Sequence, residues 1–374
     1  MEAYFDNSAT TALCKEAKEE IINALDTVWG NPSSLHQKGM DAEELLEKAR
    51  KSVADKICAS EKEIVFTSGG TQSNNIAVFG AANAMKRTGN KVITTSVEHP
   101  SVSKAFDRLQ NEGFEVVRLS VDKYGKIDLD ELKGALDSKT VLVSIMAVNN
   151  ELGTVEPVEE AGKLIKELSP ALFHIDAVQA FGKINLDVRR LGCDLMSISS
   201  HKIHGPKGAG ALYVKKGTKL LSPVAGGGQE RDIRPGTEPM PAIAGFYGAV
   251  RALKINESLE KISSLRSYLT AGLKKYPDIV VNSSEAALPY IVNISLPSLP
   301  SEAVLNLLSD MEIYVSSGSA CSKGHQSPVL TAAGLDSKLI NSSLRISLSR
   351  FNTKEEIDYL LKGIETAFKV IRRK

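Results

Sequence analysis

The chain has 374 residues, a length that suits two domains better than one. Hydrophobic residues make up 42% and charged residues 24%, and the formal net charge of +1 gives no electrostatic reason to expect nucleic acid or an anionic membrane as a partner. The first residues lack the basic and apolar blocks of a signal peptide, and no apolar run is long enough for a membrane span, so no membrane partner is expected.

Four cysteines occur far apart in the sequence, with no CxxC pair and no Cys/His spacing typical of zinc ligands. This distribution argues against a disulfide framework and a structural zinc site, and it favours a reduced, cytoplasmic protein. Cys14, Cys58 and Cys193 are expected to be small buried hydrophobic residues. Cys321 differs, because it lies in the small and polar stretch SSGSACSKGH, residues 316–325.

Strand-like and helix-like segments alternate through the first half of the chain. Residues 62–67 predict a strand that ends in a Ser-Gly-Gly turn, residues 74–87 a helix, and residues 90–97 a second strand. The alternation continues through helices over 101–113 and 158–168, with strand-like segments in FEVVRLSV, TVLVSIMAVN and ALFHIDAV. Short apolar strands between amphipathic helices indicate an α/β fold with a mainly parallel sheet that helices cover on both faces.

The pattern changes after residues 205–214. A Gly-rich stretch leads into a helical region over 242–275 that contains no proline, and its length suits a helix that links two domains. The remaining residues mix strands and helices in a smaller α+β unit, which places the domain boundary near residue 250. The first dozen residues have no clear pattern.

Three fragments contain polar or charged groups that could bind a ligand or take part in catalysis. TSGGTQSNN (67–75) is a turn between a strand and a helix, where free backbone N–H groups and the helix dipole can bind an anion, although such turns need glycine in any case. HIDAVQ (174–179) has an acid at a strand end, a position also common for a helix cap or a surface Asp. SISSHKIHGPKG (197–208) has a lysine among hydroxyls, which also fits a solvated basic loop. The His201/His204 pair has no obvious third ligand, so no metal site is predicted.

Taken together, the three fragments offer an anion cradle, a strand-end acid and a lysine. Pyridoxal 5'-phosphate chemistry needs these groups, because a lysine bonds the cofactor, an acid keeps the pyridine nitrogen protonated, and donors hold the phosphate. Cys321 adds a nucleophile that an ordinary transaminase does not require. The sequence therefore favours a pyridoxal-phosphate enzyme.

The chain also resembles the cysteine desulfurases of the NifS/IscS type, within the class V aminotransferase superfamily. The similar motifs extend through nearly the whole chain and include YFDNSATT, TSVEHPSV, SIMAVNNELGTVEPV, GGGQERDIRPGTEP, SSGSACS and SLRISLSRF. The resemblance implies the fold type I architecture, with a mainly parallel seven-stranded sheet in a large cofactor-binding domain, residues 15–250. It also implies a smaller α+β domain of residues 1–14 and 251–374, with the long linking helix near 242–275.

The resemblance assigns cofactor roles to residues at matching positions. Lys202 is expected to bond the cofactor, Asp176 to pair with the pyridinium, and His99 to stack on the ring and assist proton transfer. Gln179 is expected to hydrogen-bond the phenolic oxygen. The phosphate is expected to contact a set of small and polar residues: Gly70, Thr71, Ser199, His201, and Thr237 from the neighbouring subunit. The Thr237 assignment implies an obligate homodimer with sites at the interface.

The same resemblance assigns the substrate and the sulfur chemistry. Asn150 and Arg345 match the groups that hold the carboxylate of L-cysteine, and Asn7 is a further candidate because its segment folds back near the substrate. Cys321 matches the catalytic cysteine, which takes the sulfur as a persulfide while L-cysteine becomes L-alanine. His325 is close enough in sequence to assist it.

The expected function is therefore a cysteine desulfurase that passes sulfur to a protein acceptor, such as an iron–sulfur scaffold or a tRNA thiolation enzyme. Two alternatives stay open at this point. One is a selenocysteine lyase or another class V pyridoxal-phosphate enzyme, and the other is a sulfur-transfer scaffold whose main task is to bind partners. The intact lysine and acid disfavour a protein without catalysis.

Overall fold

A computed structural model describes residues 1–317 and 326–371. The strands are β1 Ala3–Tyr4, β2 Ile64–Thr67, β3 Lys91–Thr95, β4 Glu115–Leu119, β5 Thr140–Met146, β6 Leu172–Asp176, β7 Leu195–Ser199, β8 Gly210–Val214, β9 Val280–Val281, β10 Ile291–Ser295, β11 Ile313–Tyr314 and β12 Ser343–Ser347. The helices are α1 Lys15–Asp26, α2 Gln37–Lys56, α3 Gly70–Met85, α4 Pro100–Asn111, α5 Leu129–Ala135, α6 Val158–Leu168, α7 Val188–Leu191, α8 Met240–Arg251, α9 Ile255–Leu273, α10 Ser301–Asp310, α11 Pro328–Ala332, α12 Ser337–Asn341 and α13 Lys354–Val370.

The largest sheet has seven strands in the order β2-β8-β7-β6-β5-β3-β4, which confirms the predicted mainly parallel α/β sheet. Only β8 runs against its neighbours β2 and β7, while the other pairs are parallel. The strands β2, β3, β5, β6 and β7 therefore end at the same edge. Loops at the carboxyl ends of parallel strands are the usual place for a ligand in such folds.

The central strands are apolar because helices cover the sheet. Every residue of β5 and β7 is buried, as expected for strands in the middle of a covered parallel sheet. Helix α6 has the bounds that the sequence predicts and buries one face, with Val158, Ala161 and Ile165 in the core. Helix α3 begins at Gly70 rather than near residue 74, so its first turn directly follows the strand.

Two small sheets contain the chain ends. Strands β12, β10 and β9 form an antiparallel sheet, and β1 pairs in parallel with β11. The chain start is thus tied to residues more than 300 positions away, and a bridge between Asp6 and Ser347 continues the pairing. These long-range contacts explain why the first dozen residues have no local pattern.

The prediction of one continuous helix over 242–275 is wrong, because residues 252–254 separate α8 from α9. Residues from elsewhere in the chain contact the segment between the two helices. Arg350 Nη1 donates a hydrogen bond to the carbonyl of Ala252 at 2.7 Å. A Cβ on Gly182 would come within about 3.0 Å of the Leu253 side chain, so Leu253 packs closely there. No glycine or proline marks the break, and the sequence pattern therefore misses it.

The two helices have different neighbours, which supports the proposed domain boundary near residue 250. Helix α8 packs against α1 and α2, whereas α9 packs against α13. We therefore keep as a proposal the division into residues 15–250 and residues 1–14 with 251–374.

The cysteine environments follow the prediction at two positions and not at a third. Cys14 and Cys193 are buried, and burial raises the pKa of both thiols. Cys58 is exposed, contrary to the expectation, because it follows the end of α2 in a turn with φ of 58°. Cys321 lies outside the described residues. No helix in the described part of the chain is long and apolar enough to cross a bilayer.

A buried ion pair ties the Gly-rich loop to the large sheet. The carboxylate of Glu230 is fully buried and accepts from Arg50 at 2.8 and 2.9 Å and from the backbone N–H of Phe66 at 2.8 Å. Three consecutive non-glycine residues, Glu230, Arg231 and Asp232, have positive φ in this loop. The ion pair therefore holds a backbone segment that is otherwise unfavourable.

Replacing Arg50 with alanine leaves the Glu230 carboxylate buried without its partner. We expect Arg50→Ala to lower the free energy of unfolding by about 3–5 kcal/mol, measured by urea denaturation. The control is Arg189→Ala, which removes an exposed pair with Asp187 and should change stability little. Equal effects of the two substitutions would contradict the anchoring role of Arg50.

Candidate active site

A cavity of about 310 Å³ lies at the carboxyl edge of the large sheet. It gathers most of the residues that the sequence singles out, from the carboxyl ends of β2, β3, β5, β6 and β7 and from β12. The predicted residues that line it are Gly70, Thr71, His99, Asn150, Asp176, Gln179, Ser199, His201, Lys202 and Arg345. Its volume is within the range of small-ligand sites.

One end of the cavity suits an anion. Helix α3 starts at Gly70, and the first N–H groups of a helix have no acceptor within that helix. A Cβ at Gly70 would lie 2.6 Å from Val178 Cγ2, so glycine is needed for the turn to fit there. Ser199 Oγ is buried in this end and has no hydrogen-bond partner among the described residues. Backbone donors, the helix dipole and a free hydroxyl together match a phosphate group.

The turn before the helix also depends on glycine. Gly69 has φ of +144°, and a Cβ on Gly210 of the neighbouring strand β8 would lie 2.6 Å from Gly69 Cα. The two backbones therefore approach closely, which positions the helix N-terminus over the sheet edge. His201, from the end of β7, completes this end; its pKa is lowered to about 4 by burial and by Lys202, so the ring is neutral at pH 7.

Asp176 forms the floor of the cavity at the end of β6. Its carboxylate accepts from Val178 N at 3.0 Å and from Asn74 Nδ2 at 2.7 Å. These neutral donors fix the carboxylate without cancelling its charge. A fixed anion at this depth suits a protonated ring nitrogen of a ligand.

His99 connects to the same acid through two polar side chains. Asn74 Nδ2 also contacts Ser101 Oγ at 2.8 Å, and Ser101 Oγ lies 2.8 Å from His99 Nδ1. The backbone N–H of Ser101 donates to the same nitrogen at 3.1 Å, so His99 Nδ1 is an acceptor and the proton of the neutral ring lies on Nε2. Burial lowers the pKa of His99, which Asp176 partly opposes, and the neutral ring is therefore favoured.

Lys202 is held by the start of the chain. Its Nζ donates to the carbonyls of Ser8 at 2.6 Å and Ala9 at 2.8 Å. Gln179 Nε2 donates to the same Ser8 carbonyl at 2.9 Å. The segment that has no pattern in the sequence thus forms one wall of the cavity beside its lysine.

The opposite end of the cavity suits a carboxylate. Arg345 is buried and donates through Nη2 to Asp6 Oδ1 at 2.8 Å and through Nη1 to the carbonyl of Asn150 at 3.1 Å. Arg345 Nε and Asn150 Oδ1 are buried without a partner among the described residues. A guanidinium held by Asp6 with an unused N–H can bind one further carboxylate.

Two of the predicted residues that the structure describes, Asn7 and Thr237, do not line this cavity. Asn7 lines a smaller neighbouring cavity, and its amide donates to the carbonyl of Ser347 at 2.8 Å, which is a structural contact. Thr237 is exposed and does not line the cavity in a single chain. Cys321 and His325 lie outside the described residues.

Several residues that shape the site were not predicted from the sequence. Asn74, in the stretch TQSNN, could have been predicted, since it lies one helical turn after Gly70 on the face toward the sheet edge. Lys183 follows Gln179 by four positions and bonds to it, a spacing that helical turns bring together. Asp6 and Ser8 lie in the YFDNSATT motif, but their individual contacts could not be predicted, because only the long-range pairing of the chain start places them here.

The residues present fit pyridoxal phosphate. The unpartnered Ser199 hydroxyl and the helix N-terminus suit its phosphate, Asp176 suits its ring nitrogen, and Lys202 supplies the amine. The unpartnered Arg345 Nε–H then remains as a donor for the carboxylate of an amino acid.

Comparisons with known proteins agree with this chemistry. The family model for aminotransferase class-V matches residues 3–360. A cysteine desulfurase IscS from Methanosarcina thermophila is 42% identical over 374 residues, covering 99% of this chain and 92% of that protein. A solved NifS-like protein superposes with a TM-score of 0.94 at 38% identity, covering 99% of this chain and all of that one. A structure of SspA in complex with cysteine has a TM-score of 0.84 at 34% identity, covering 94% of this chain and all of the other.

Filling the turn at Gly70 should weaken binding of pyridoxal phosphate. We expect Gly70→Ala to raise the dissociation constant about tenfold, because the new Cβ meets Val178 Cγ2 and displaces the helix N-terminus. Absorbance titration with the cofactor measures this. The double variant with Val178→Ala removes the clash and should recover most of the affinity.

The matched control is Gly134→Ala, where a Cβ has no atom within 4 Å. It should bind the cofactor as the unmodified protein does. Unchanged affinity in Gly70→Ala would contradict the assignment of the anion end.

Proposed function

The chain belongs to the aminotransferase class-V family and is a pyridoxal-phosphate-dependent cysteine desulfurase, and we propose that the cavity described above is where L-cysteine becomes L-alanine. The observation that carries this proposal is the convergence of Lys202, Asp176, the Gly70 turn and Arg345 on one cavity. Selenocysteine lyase and transaminase activities are less favoured, since the relatives are cysteine desulfurases.

Each end of the cavity has a separate task. The N-terminus of α3 with Thr71, Ser199 and His201 would hold the phosphate, and Asp176 would keep the ring nitrogen protonated. Lys202 would hold the cofactor covalently and later carry protons. When bound, pyridoxal phosphate supplies an electron sink that stabilises negative charge on the substrate carbon.

The substrate is oriented by the opposite end. Arg345 Nε and Asn150 would bind the carboxylate of L-cysteine, and Asp6 fixes the guanidinium so that little rotamer freedom remains to be lost. His99 presents Nε2–H, because Ser101 occupies Nδ1, so the ring serves as a stacking partner and hydrogen-bond donor rather than a resting base.

Cys321 is proposed as the sulfur acceptor within the enzyme. Its thiolate attacks the substrate sulfur, the Cβ–S bond of L-cysteine breaks, and a new S–S bond forms on the enzyme. The carbon fragment gains a proton in place of sulfur and leaves as L-alanine, so one thiol and one L-cysteine give one persulfide and one L-alanine.

The described residues next to 318–325 support this assignment. Ser316 forms a bridge with Arg345 through backbone hydrogen bonds of 3.2 and 2.6 Å. Ser327 Oγ donates to Glu151 Oε2 at 2.5 Å, and Glu151 adjoins Asn150. Both sides of the segment that contains Cys321 are therefore attached at the carboxylate end of the cavity.

Replacing Cys321 should separate cofactor binding from sulfur transfer. We expect Cys321→Ala to retain the cofactor absorbance while sulfide release from L-cysteine in the presence of reductant falls by at least a hundredfold. Cys58→Ala, which changes an exposed thiol elsewhere, is the control and should keep full activity. Sulfide release that survives in Cys321→Ala would remove this residue from the reaction.

The active protein is proposed to be a homodimer. Large apolar side chains are exposed along α1 and the following loop, with Trp29 at 64% and Leu35 at 99% exposure. Ile22, Leu25 and Met40 extend this surface. A second copy of the chain is the partner we propose, because it would cover these residues and would bring its exposed Thr237 to the phosphate end of the neighbouring site.

Hybrid dimers test which subunit supplies Thr237 to each active site. A Thr237→Ala subunit contributes an intact Lys202, and a Lys202→Ala subunit contributes an intact Thr237. If Thr237 acts across the interface, mixing the two variants creates one complete site per hybrid. We expect sulfide release at limiting cofactor to exceed that of either parent severalfold, up to half that of the unmodified dimer.

The same mixture would give a different result if Thr237 acts within its own subunit, and that result would contradict its proposed action across the interface. In that case no site is complete in any hybrid, and activity stays at the average of the two parents. Size measurement of each variant confirms that dimers are present in both cases.

The persulfide is passed to a protein acceptor, for which we propose an iron–sulfur scaffold or a tRNA thiolation enzyme. Capture of partners on the persulfide-loaded protein would distinguish these classes. We propose a cytoplasmic location, which the free cysteines Cys14, Cys58 and Cys193 support, since a reducing compartment keeps thiols unpaired.

A further inference from the structure

Lys183 is a buried lysine that the proposed mechanism does not use. It lies behind Gln179, lines the small second cavity together with Lys202, and does not line the main cavity. Its Nζ donates to Gln179 Oε1 at 2.7 Å and lies 5.6 Å from the centre of the Tyr290 ring. Among the described residues no carboxylate forms an ion pair with it. Burial of an unpaired ammonium is costly, and such residues concentrate at functional sites.

The lysine and the Ser8 carbonyl together determine which way the Gln179 amide points. Below its pKa, Lys183 is an ammonium group that can only donate, so the atom of Gln179 that faces it is then the carbonyl oxygen. The NH₂ group then points toward the carbonyl of Ser8 at 2.9 Å and has one further N–H to donate. The Ser8 carbonyl can only accept, so it favours the same amide orientation, and Lys183 reinforces that orientation from the other side.

Lys183 also adds positive charge close to Lys202. The two ammonium groups are linked through Gln179 and the Ser8 carbonyl, which accepts from Lys202 at 2.6 Å. Burial, Lys202 and Arg345 lower the pKa of Lys183 to about 7. The charged and titratable groups around it are otherwise cationic, neutral or phenolic: Lys202, Arg345, His201, His204, Arg350 and Tyr290.

We propose that Lys183 is a positioning residue for the cofactor: it fixes the Gln179 amide so that an N–H faces the phenolic oxygen, and its charge lowers the proton affinity of the bound cofactor. This inference rests on the proposed function, because it needs pyridoxal phosphate at Lys202. The donor at the oxygen and the nearby cation act in the same direction. Both stabilise the less protonated form of the chromophore.

The test is a pH titration of the visible absorbance of the protein loaded with pyridoxal phosphate. We expect Lys183→Met to raise the midpoint of the absorbance change by about one pH unit, a tenfold increase in proton affinity. Lys183→Arg keeps the charge and the donor and should stay near the unmodified midpoint. Lys166→Met, the same change at an exposed position, should leave the midpoint unchanged.

A double variant shows whether Lys183 acts through Gln179. Gln179→Leu should raise the midpoint by itself, and Lys183→Met added to it should raise the midpoint by less than the sum of the two single shifts. Fully additive shifts would overturn the positioning role. If Lys183→Met does not fold, Lys183→Gln also removes the charge, and the same rise is expected from it.

Two negative outcomes have different meanings. An unchanged midpoint in a charge-removing variant that binds cofactor normally overturns this inference and leaves the proposed function intact. An unmodified protein that takes up no pyridoxal phosphate overturns the proposed function, and this inference falls with it.

Discussion

Parallel strands that end together are the constraint on which this site depends. Strands β2, β3, β5, β6 and β7 share one edge, so their following loops are neighbours in space although they are distant in sequence. Each loop supplies a different group: backbone donors after β2, an acid at the end of β6, and a lysine after β7.

The start of the chain converts this edge into an enclosed cavity. Pairing of β1 with β11 brings Ser8 and Ala9 to the Lys202 ammonium, and Asp6 to Arg345. Carbonyl oxygens thus hold the half-buried Lys202 ammonium, and one carboxylate stabilises the buried Arg345 guanidinium. The same contacts tie the small sheets to the large one, so the site is complete only when the chain ends are folded over it.

The sequence predicted those parts of the molecule that local chemistry determines. The alternation of strands and helices, the glycines of the Gly70 turn, and the acid and lysine at strand ends all have short-range signals. Motif resemblance placed Asn150 and Arg345 in the same site, where both line the cavity. Contacts between distant residues were not predictable from a single sequence, and they include those of the Ser8 carbonyl and the Arg350 contact at the break between α8 and α9. The turn that exposes Cys58 was also not predicted, because it depends on an unusual positive φ at a cysteine. Lys183 was not predicted to contribute to the site, because its proposed role depends on its hydrogen bond to Gln179.

The central claim is that Lys202 is the lysine that bonds the cofactor. Loading the protein with pyridoxal phosphate, reducing it with borohydride and mapping the labelled peptide by mass spectrometry tests this directly, because reduction fixes the cofactor to its lysine. We expect the label on Lys202, within the sequence SSHKIHG. Label on Lys183, or spread over exposed lysines without a preferred position, would contradict it.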